Sequence, residues 1–103
     1  MDFSIEGQGD EKRVVLSGNF TFADNQKFKQ MMAALGKTPV KAVTLDFAAV
    51  EFIDSGALGM LLLFRDDCQS RQIPMSIHAA HGQVKKIFML SKFDQLFSMS
   101  GEK

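Results

Sequence analysis

The sequence predicts an α/β fold with a mixed β-sheet. Short apolar segments alternate with segments whose apolar residues recur at helical spacing, a pattern typical of strand–helix–strand units in a parallel sheet. Residues 2–18 differ, because two segments of alternating apolar and polar residues flank the turn Gly7-Gln8-Gly9-Asp10 and predict an antiparallel hairpin. A chain of 103 residues can bury one core but not two, so we expect a single domain over residues 1–103.

The remaining elements follow the hairpin in a regular order. The sequence predicts a helix from about Phe22 to Leu35, a strand from Ala42 to Phe47, a helix from about Ser55 to Ser70, a strand from Met75 to His78, a helix from Gly82 to Leu90 and a last helical turn from Phe93 to Phe97. Thr21 and Asp24 have the spacing of a capping box at the start of the first helix. The Asp54-Ser55 pair follows the third strand and a short link. Sheets of this kind bind ligands and partners beyond the carboxyl ends of their strands.

The composition excludes several classes of protein. Twelve Lys and Arg balance twelve Asp and Glu, so the broad positive potential of a protein that binds nucleic acid or anionic membranes is absent. Cys68 is the only cysteine, and the N-terminus carries charges where a signal peptide needs an apolar segment. The longest apolar run, Ala57 to Phe64, is too short to span a bilayer. We therefore expect a cytoplasmic protein that contacts neither nucleic acid nor membrane.

Ser55 stands at the start of an apolar helix and admits three interpretations. The simplest is a helix N-cap, in which Ser55 or Asp54 accepts hydrogen bonds from free backbone N–H groups. The second is a catalytic nucleophile, but neither His78 nor His81 has an acid placed behind it to make a base, and the glycine expected two residues before such a serine is missing. The third is a side chain on which another protein acts.

No cofactor or metal site is predicted. Cys68, His78 and His81 lack the spacing of a zinc site, and the glycine-rich phosphate-binding patterns do not occur. The sequence therefore predicts no catalytic residue, no cofactor and no metal ligand.

The helix after Ser55 has two distinct sides when it is wound at about 100° per residue. The predicted core side comprises Ala57, Met60, Leu61, Phe64 and Cys68. The opposite side, close to Ser55, comprises Leu58, Gly59, Leu62, Asp66 and Gln69. Because Asp66 and Gln69 indicate contact with water, Leu58 and Leu62 either form an apolar patch for a protein partner or are covered by a loop or the C-terminal segment.

Four stretches together resemble the STAS domain, and more closely the bacterial anti-sigma factor antagonists. They are Val14 to Gly18, Val43 to Phe47, Phe52 to Gly59 and Leu90 to Phe97. The most specific feature is the Asp-Ser pair that leads into a small residue, leucine and glycine. The resemblance implies a STAS-like mixed sheet of about four to five strands, with an opening hairpin and largely parallel remaining strands, and about three to four α-helices.

The resemblance also implies partner switching. In that family an anti-sigma factor with a histidine-kinase-like ATPase domain phosphorylates the serine, and a PP2C-type phosphatase removes the phosphate. The unphosphorylated form binds the anti-sigma factor and releases the sigma factor. By position, Ser55 is the phosphorylated residue, and the partner-binding residues are Asp54, Gly56, Leu58, Gly59, Leu62, Asp66, Asn19 and Thr21.

Two positions differ from the family pattern. Gly56 stands where many members have a second serine or threonine, and Thr21 stands where many have an aspartate shortly after the strand-ending glycine. An alternative interpretation is a STAS subunit that is never phosphorylated and docks on a transporter or sensory complex through the same apolar patch.

Overall fold

The computed structural model describes residues 1–7 and 9–101, so Gln8 of the predicted turn lies outside the described residues. Within them the chain forms a five-stranded sheet in the order β1-β2-β3-β4-β5. The strands are β1 (Asp2–Glu6), β2 (Glu11–Phe20), β3 (Ala42–Ile53), β4 (Met75–His78) and β5 (Ser98–Ser100). The α-helices are α1 (Asn25–Leu35), α2 (Ser55–Ser70) and α3 (Gly82–Leu90). β1 is antiparallel to β2 and the other neighbours are parallel, which confirms the predicted fold class.

All three α-helices cover the same face of the sheet. Each parallel crossover moves one strand further in the same direction, and crossovers of one hand then place their helices on one side. Accordingly, alternate residues of the strands join residues of all three helices in a single core. The other face carries polar side chains, among them Arg13, Thr44 and Ser76.

Phenylalanine fills much of this core, as its apolar ring would predict. Seven of the ten phenylalanines are buried. Three of them form one chain of ring contacts, Phe20 with Phe28 and Phe28 with Phe64. The other four form a second chain that runs from Phe47 through Phe88 and Phe93 to Phe97. The two chains anchor the helices to the sheet.

β3 is longer than the sequence predicts. The predicted strand ends at Phe47 and is followed by a link, whereas β3 continues to Ile53. Its second half remains a strand because it pairs with the end of β2, where Ser17 lies opposite Ala49 and Asn19 opposite Phe52. The predicted link is therefore wrong, and only Asp54 separates β3 from α2.

Three smaller differences concern element ends. The predicted first helix begins with a 3₁₀ turn, Phe22–Asp24, before α1. The last helical turn is also 3₁₀ and spans Phe93–Gln95. It is followed by β5, a strand of three residues that pairs with β4 and that the sequence pattern did not indicate.

Among the residues that the structure describes, no helix combines the length and the apolar character needed to cross a membrane.

Candidate functional site

Ser55 is the first residue of α2 and lies at the carboxyl end of the central strand β3. Its side chain is exposed. Within the described chain its hydroxyl makes no hydrogen bond. The hydroxyl is therefore presented to solvent at the positive end of the α2 dipole, where the first-turn N–H groups have no helical partners.

The N-cap of α2 is Asp54, not Ser55. Oδ1 of Asp54 accepts a hydrogen bond of 2.9 Å from the backbone N–H of Ala57. Of the two residues considered for the cap, the carboxylate takes this role because Asp54 has the extended backbone of a cap, while Ser55 is already helical. Capping thus leaves the Ser55 hydroxyl unused.

The second oxygen of Asp54 connects α2 to the Phe22–Asp24 turn. Oδ2 accepts a hydrogen bond of 3.2 Å from the backbone N–H of Phe22. Next to it, Gly56 packs directly on Phe22: a Cβ on Gly56 would lie 2.5 Å from the Cβ of Phe22 and 3.0 Å from its Cα. No real Cβ makes so close a contact, so the turn can approach α2 only because residue 56 is glycine.

Gln83 of α3 supports the site from the other side. Its side-chain amide accepts a hydrogen bond of 3.1 Å from the N–H of Ile53 and donates one of 3.0 Å to the carbonyl of the same residue. β4 pairs with β3 only as far as Asp46, so Gln83 supplies the partner that β4 does not. No pattern in the sequence indicates this contact, because it joins residues thirty positions apart.

Asn19 and Thr21, both predicted as partner-binding residues, lie at the same edge of the sheet as Ser55. Asn19 is exposed and pairs with Phe52 near the end of β3. The Thr21 hydroxyl accepts a hydrogen bond of 3.3 Å from the N–H of Ala23, and the Asp24 carboxylate accepts one of 2.8 Å from the N–H of Thr21. The predicted capping box is thereby confirmed, although it caps the 3₁₀ turn and not α1 itself.

Asp24 holds this turn in its ionised form. Burial alone would raise the pKa of Asp24, but the hydrogen bond from the Thr21 N–H and the neighbouring ammonium group of Met1 lower it. The ammonium nitrogen lies 2.9 Å from Oδ1 of Asp24. The turn that carries Phe22 is therefore held by the Asp24 carboxylate, which binds both the Thr21 N–H and the Met1 ammonium group.

The side of α2 next to Ser55 is apolar and partly exposed. The predicted core side is confirmed, since Ala57, Met60, Leu61, Phe64 and Cys68 are all buried. On the other side Leu58 is half-buried, Leu62 is 36% exposed and Gly59 is open. Leu63, which the helical count does not single out, is 67% exposed. The patch is thus exposed at Leu62 and Leu63 and partly exposed at Leu58.

Asp66 lies on the same side but far from Ser55. Asp66 comes eleven positions after Ser55, which corresponds to about 16 Å along the helix axis. A partner that contacts both residues must cover three turns of α2.

The described residues hold no group of histidine, cysteine or acidic side chains that could bind a metal ion. Cys68 is buried, and burial raises the pKa of its thiol to about 11, so the thiol stays protonated at neutral pH. Two open clefts, of about 460 and 580 Å³, are lined by residues other than Ser55. Around Ser55 an exposed hydroxyl adjoins a partly exposed apolar helix face, a kind of surface that protein partners commonly use.

Comparison with known proteins identifies the family. The sequence profile of the family described as "Mlab, STAS domain" matches residues 3–99. The chain belongs to the STAS domain family. A STAS-domain containing protein of Pseudomonas aeruginosa is 35% identical over 92 residues, which are 89% of this chain and 90% of the relative.

Solved structures share the fold of this STAS domain at low sequence identity. A candidate anti-sigma factor antagonist from Thermotoga maritima superposes with a TM-score of 0.85 at 17% identity, over 95% of this chain and 85% of that one. The anti-sigma factor antagonist SpoIIAA of Bacillus, in its unphosphorylated form, superposes with a TM-score of 0.79 at 18% identity, over 95% of this chain and 87% of that one. A sulfate transporter family protein from Wolinella succinogenes superposes with a TM-score of 0.76 at 17% identity, over 90% of this chain and 78% of that one.

Proposed function

We propose that this STAS domain is an anti-sigma factor antagonist that acts by partner switching, with Ser55 as the phosphorylated residue. The observation that carries the proposal is the exposed Ser55 hydroxyl, which is free of hydrogen bonds within the described chain and adjoins an apolar helix face. Similar folds include proteins described as anti-sigma factor antagonists. One of them, SpoIIAA, has also been solved in a phosphorylated form.

Ser55 fits the role of a substrate better than that of a catalyst. A catalytic serine needs a base within hydrogen-bonding distance. The Asp54 carboxylate already accepts two backbone N–H bonds. Nδ1 of His78 lies 3.1 Å from the Ser100 hydroxyl, and Nε2 of His81 lies 2.9 Å from the carbonyl of Ala48. We therefore propose that the domain has no catalytic activity of its own.

The partners follow from this role. The proposed kinase is an anti-sigma factor with a histidine-kinase-like ATPase domain, and the proposed phosphatase is of the PP2C type, so the switch operates in the cytoplasm. Gly56, Leu58, Gly59 and Leu62 form the docking surface near Ser55.

Phosphate on Ser55 acts on the interface and not on the fold. It adds about −1.5 to −2 charge at the start of a helix, an end that tolerates anions. A unit charge about 5 Å from a like charge on the partner costs roughly 3 kcal/mol at an effective dielectric of 20. Each 1.4 kcal/mol is about tenfold in affinity, so one acidic partner residue weakens binding about a hundredfold.

The test combines phosphorylation with binding. The purified protein is incubated with the anti-sigma factor kinase and ATP, and the phosphate is mapped by mass spectrometry. We expect label on Ser55 in the wild type, no label in Ser55→Ala, and a dissociation constant at least about a hundredfold higher for Ser55→Asp. Label at another residue, or full-strength binding by Ser55→Asp, would contradict the proposal.

A second candidate function is constitutive docking on a transporter or sensory complex. The similarity of the fold to a sulfate transporter family protein favours it. In this case Ser55→Ala has no effect in cells, whereas Leu62→Glu abolishes complex formation. Leu90→Glu is the matched control, because Leu90 is 73% exposed but lies on α3. Under partner switching, by contrast, Ser55→Ala locks the protein in its binding form.

A further inference from the structure

We propose that Phe22 is the apolar anchor of the kinase-binding surface, and that Gly56 and Asp54 hold it beside Ser55. The inference rests on the proposed function, since it takes the partner to be a kinase whose active site must reach Ser55. It extends the docking surface from α2 onto the Phe22–Asp24 turn and gives Gly56 a specific purpose.

The exposure of Phe22 is the first observation. Phe22 is 65% exposed, although most phenylalanines of this chain are buried. An exposed aromatic ring gains free energy when a partner removes it from water, and aromatic residues are common among those that dominate interface affinity.

The second observation is that the backbone of Phe22 is fixed. Its N–H donates to Asp54 Oδ2 at 3.2 Å, and its Cα and Cβ pack on the Cα of Gly56, where no side chain intervenes. The Thr21–Asp24 capping box holds the same turn from its other side. A partner therefore meets a ring whose backbone is already ordered, and binding loses less entropy than it would with a mobile loop.

The contact of Phe22 with Gly56 places it close to Ser55 in the structure. Phe22 touches Gly56, the residue that directly follows Ser55. An active site that places a phosphoryl group on the Ser55 hydroxyl would then contact Phe22 as well. The partner that fits has an apolar pocket at the rim of its ATP site.

The experiment measures the steady-state kinetics of Ser55 phosphorylation for Phe22 variants. Phe22→Ala should raise KM for the protein substrate at least about tenfold and leave kcat within about twofold, because the ring contributes binding and does not touch the transferred phosphate. The KM of Phe22→Leu should lie between those of the wild type and Phe22→Ala. Leu90→Ala is the control and should match the wild type. Thermal unfolding followed by circular dichroism confirms that each variant is folded.

The outcomes separate this inference from the proposed function. Wild type that is not labelled at Ser55 would overturn both. Normal labelling of Ser55 together with an unchanged KM in Phe22→Ala would overturn the role of Phe22 alone.

A double-mutant cycle tests the positioning role of Gly56. In Gly56→Ala the new methyl group displaces the turn, and KM should rise at least about fivefold. If Gly56 acts through the Phe22 ring, the double variant Phe22→Ala/Gly56→Ala should be no worse than Phe22→Ala alone. Effects that multiply fully in the double variant would show that Gly56 acts independently of Phe22 and would overturn its positioning role.

Discussion

At the scale of single residues, carboxylates shared between elements position the site. Asp54 caps α2 with one oxygen and holds the Phe22 N–H with the other. Asp46 does the same deeper in the sheet. Its Oδ1 accepts from the Ala48 N–H at 2.9 Å and its Oδ2 accepts from Nε of Arg13 at 3.1 Å. Asp54 thus accepts from two backbone N–H groups, and Asp46 accepts from one backbone N–H group and one guanidinium, so each short side chain joins two separate parts of the chain.

Asp46 makes stability depend on pH. Burial alone would raise the pKa of Asp46, but the Ala48 N–H and the Arg13 guanidinium hold it below its usual value. Because the folded pKa is the lower one, the stabilisation is complete above the unfolded pKa of about 4 and is lost as pH falls through the folded value. Asp46→Asn should lower the free energy of unfolding by about 1–2 kcal/mol at pH 7.

The same variant should cost progressively less as pH falls below about 4, which urea unfolding at several pH values will measure. Asp94→Asn, at an exposed position, is the control and should change stability by less than about 0.5 kcal/mol throughout. A loss in Asp46→Asn that is independent of pH would show that the pair with Arg13 is not responsible.

At the scale of elements, the junction of β3 and α2 sets where Ser55 lies. β3 extends beyond β4, and its last residues are held by β2 on one side and by the Gln83 side chain on the other. The path of β2 is adjusted to match, with register shifts on both sides of Ser17-Gly18 and a φ of +82° at Gly18. Two strands of unequal length thus reach the same edge and bring Asn19 near Asp54.

Replacing either of two glycines near this junction by alanine should change the free energy of unfolding, and in opposite directions. Gly59→Ala should raise the free energy of unfolding by about 0.5–1 kcal/mol, since the site is an exposed helix position with no atom within 4 Å of the new methyl group. Gly18→Ala should lower it by about 1–2 kcal/mol because of its positive φ. Chemical unfolding measures both. If both variants changed the free energy of unfolding in the same direction, the helical backbone at Gly59 or the positive φ at Gly18 would be contradicted.

At the scale of the whole molecule, the helices lie on one face of the sheet and the carboxyl ends of the parallel strands lie at one edge. Ser55 sits at that edge, outside the core. The core beneath it is closed by buried residues such as Ala57 and Phe64. A change confined to Ser55 therefore leaves the packing of the domain untouched.

We expect Ser55→Glu to keep the wild-type fold, with a Tm within about 2 °C, because the added charge faces solvent at a helix N-terminus. Ala57→Glu is the matched control two residues away. Its carboxylate would enter the core and should unfold the domain or lower Tm by more than about 10 °C. Thermal unfolding followed by circular dichroism measures both. A Tm for Ser55→Glu as low as that of Ala57→Glu would mean that Ser55 is part of the packed structure.

Elements with a pattern of their own could be predicted from the sequence, whereas strand segments that depend on a neighbouring strand, and the contacts between elements, could not. The buried side of α2 follows from helical geometry, and all five residues assigned to it are buried. The extension of β3 past Phe47 was missed because Ala48 and Ala49 have no strand pattern of their own and depend on pairing with β2. β5 depends in the same way on β4.

At the site, helical geometry placed Ser55 beside Leu62 on the outer side of α2, but the rest required coordinates. Nothing local distinguishes Asp54 from Ser55 as the cap, and the contact of Phe22 with Gly56 joins residues thirty-four positions apart. The phosphorylation of Ser55 and the partner-binding roles of its neighbours stay predictions for the experiments above.

The direct passage from β3 into α2 bears on how the proposed kinase would meet Ser55. The backbone before Ser55 is held in the middle of a sheet and the backbone after it in a helix, so its Cα–Cβ bond keeps one direction relative to the domain. If Ser55 is modified as proposed, the enzyme would recognise a rigid three-dimensional surface formed by distant parts of the chain. A synthetic peptide with the sequence around Ser55 would lack that surface. A search for a linear consensus sequence would therefore overlook serines of this kind.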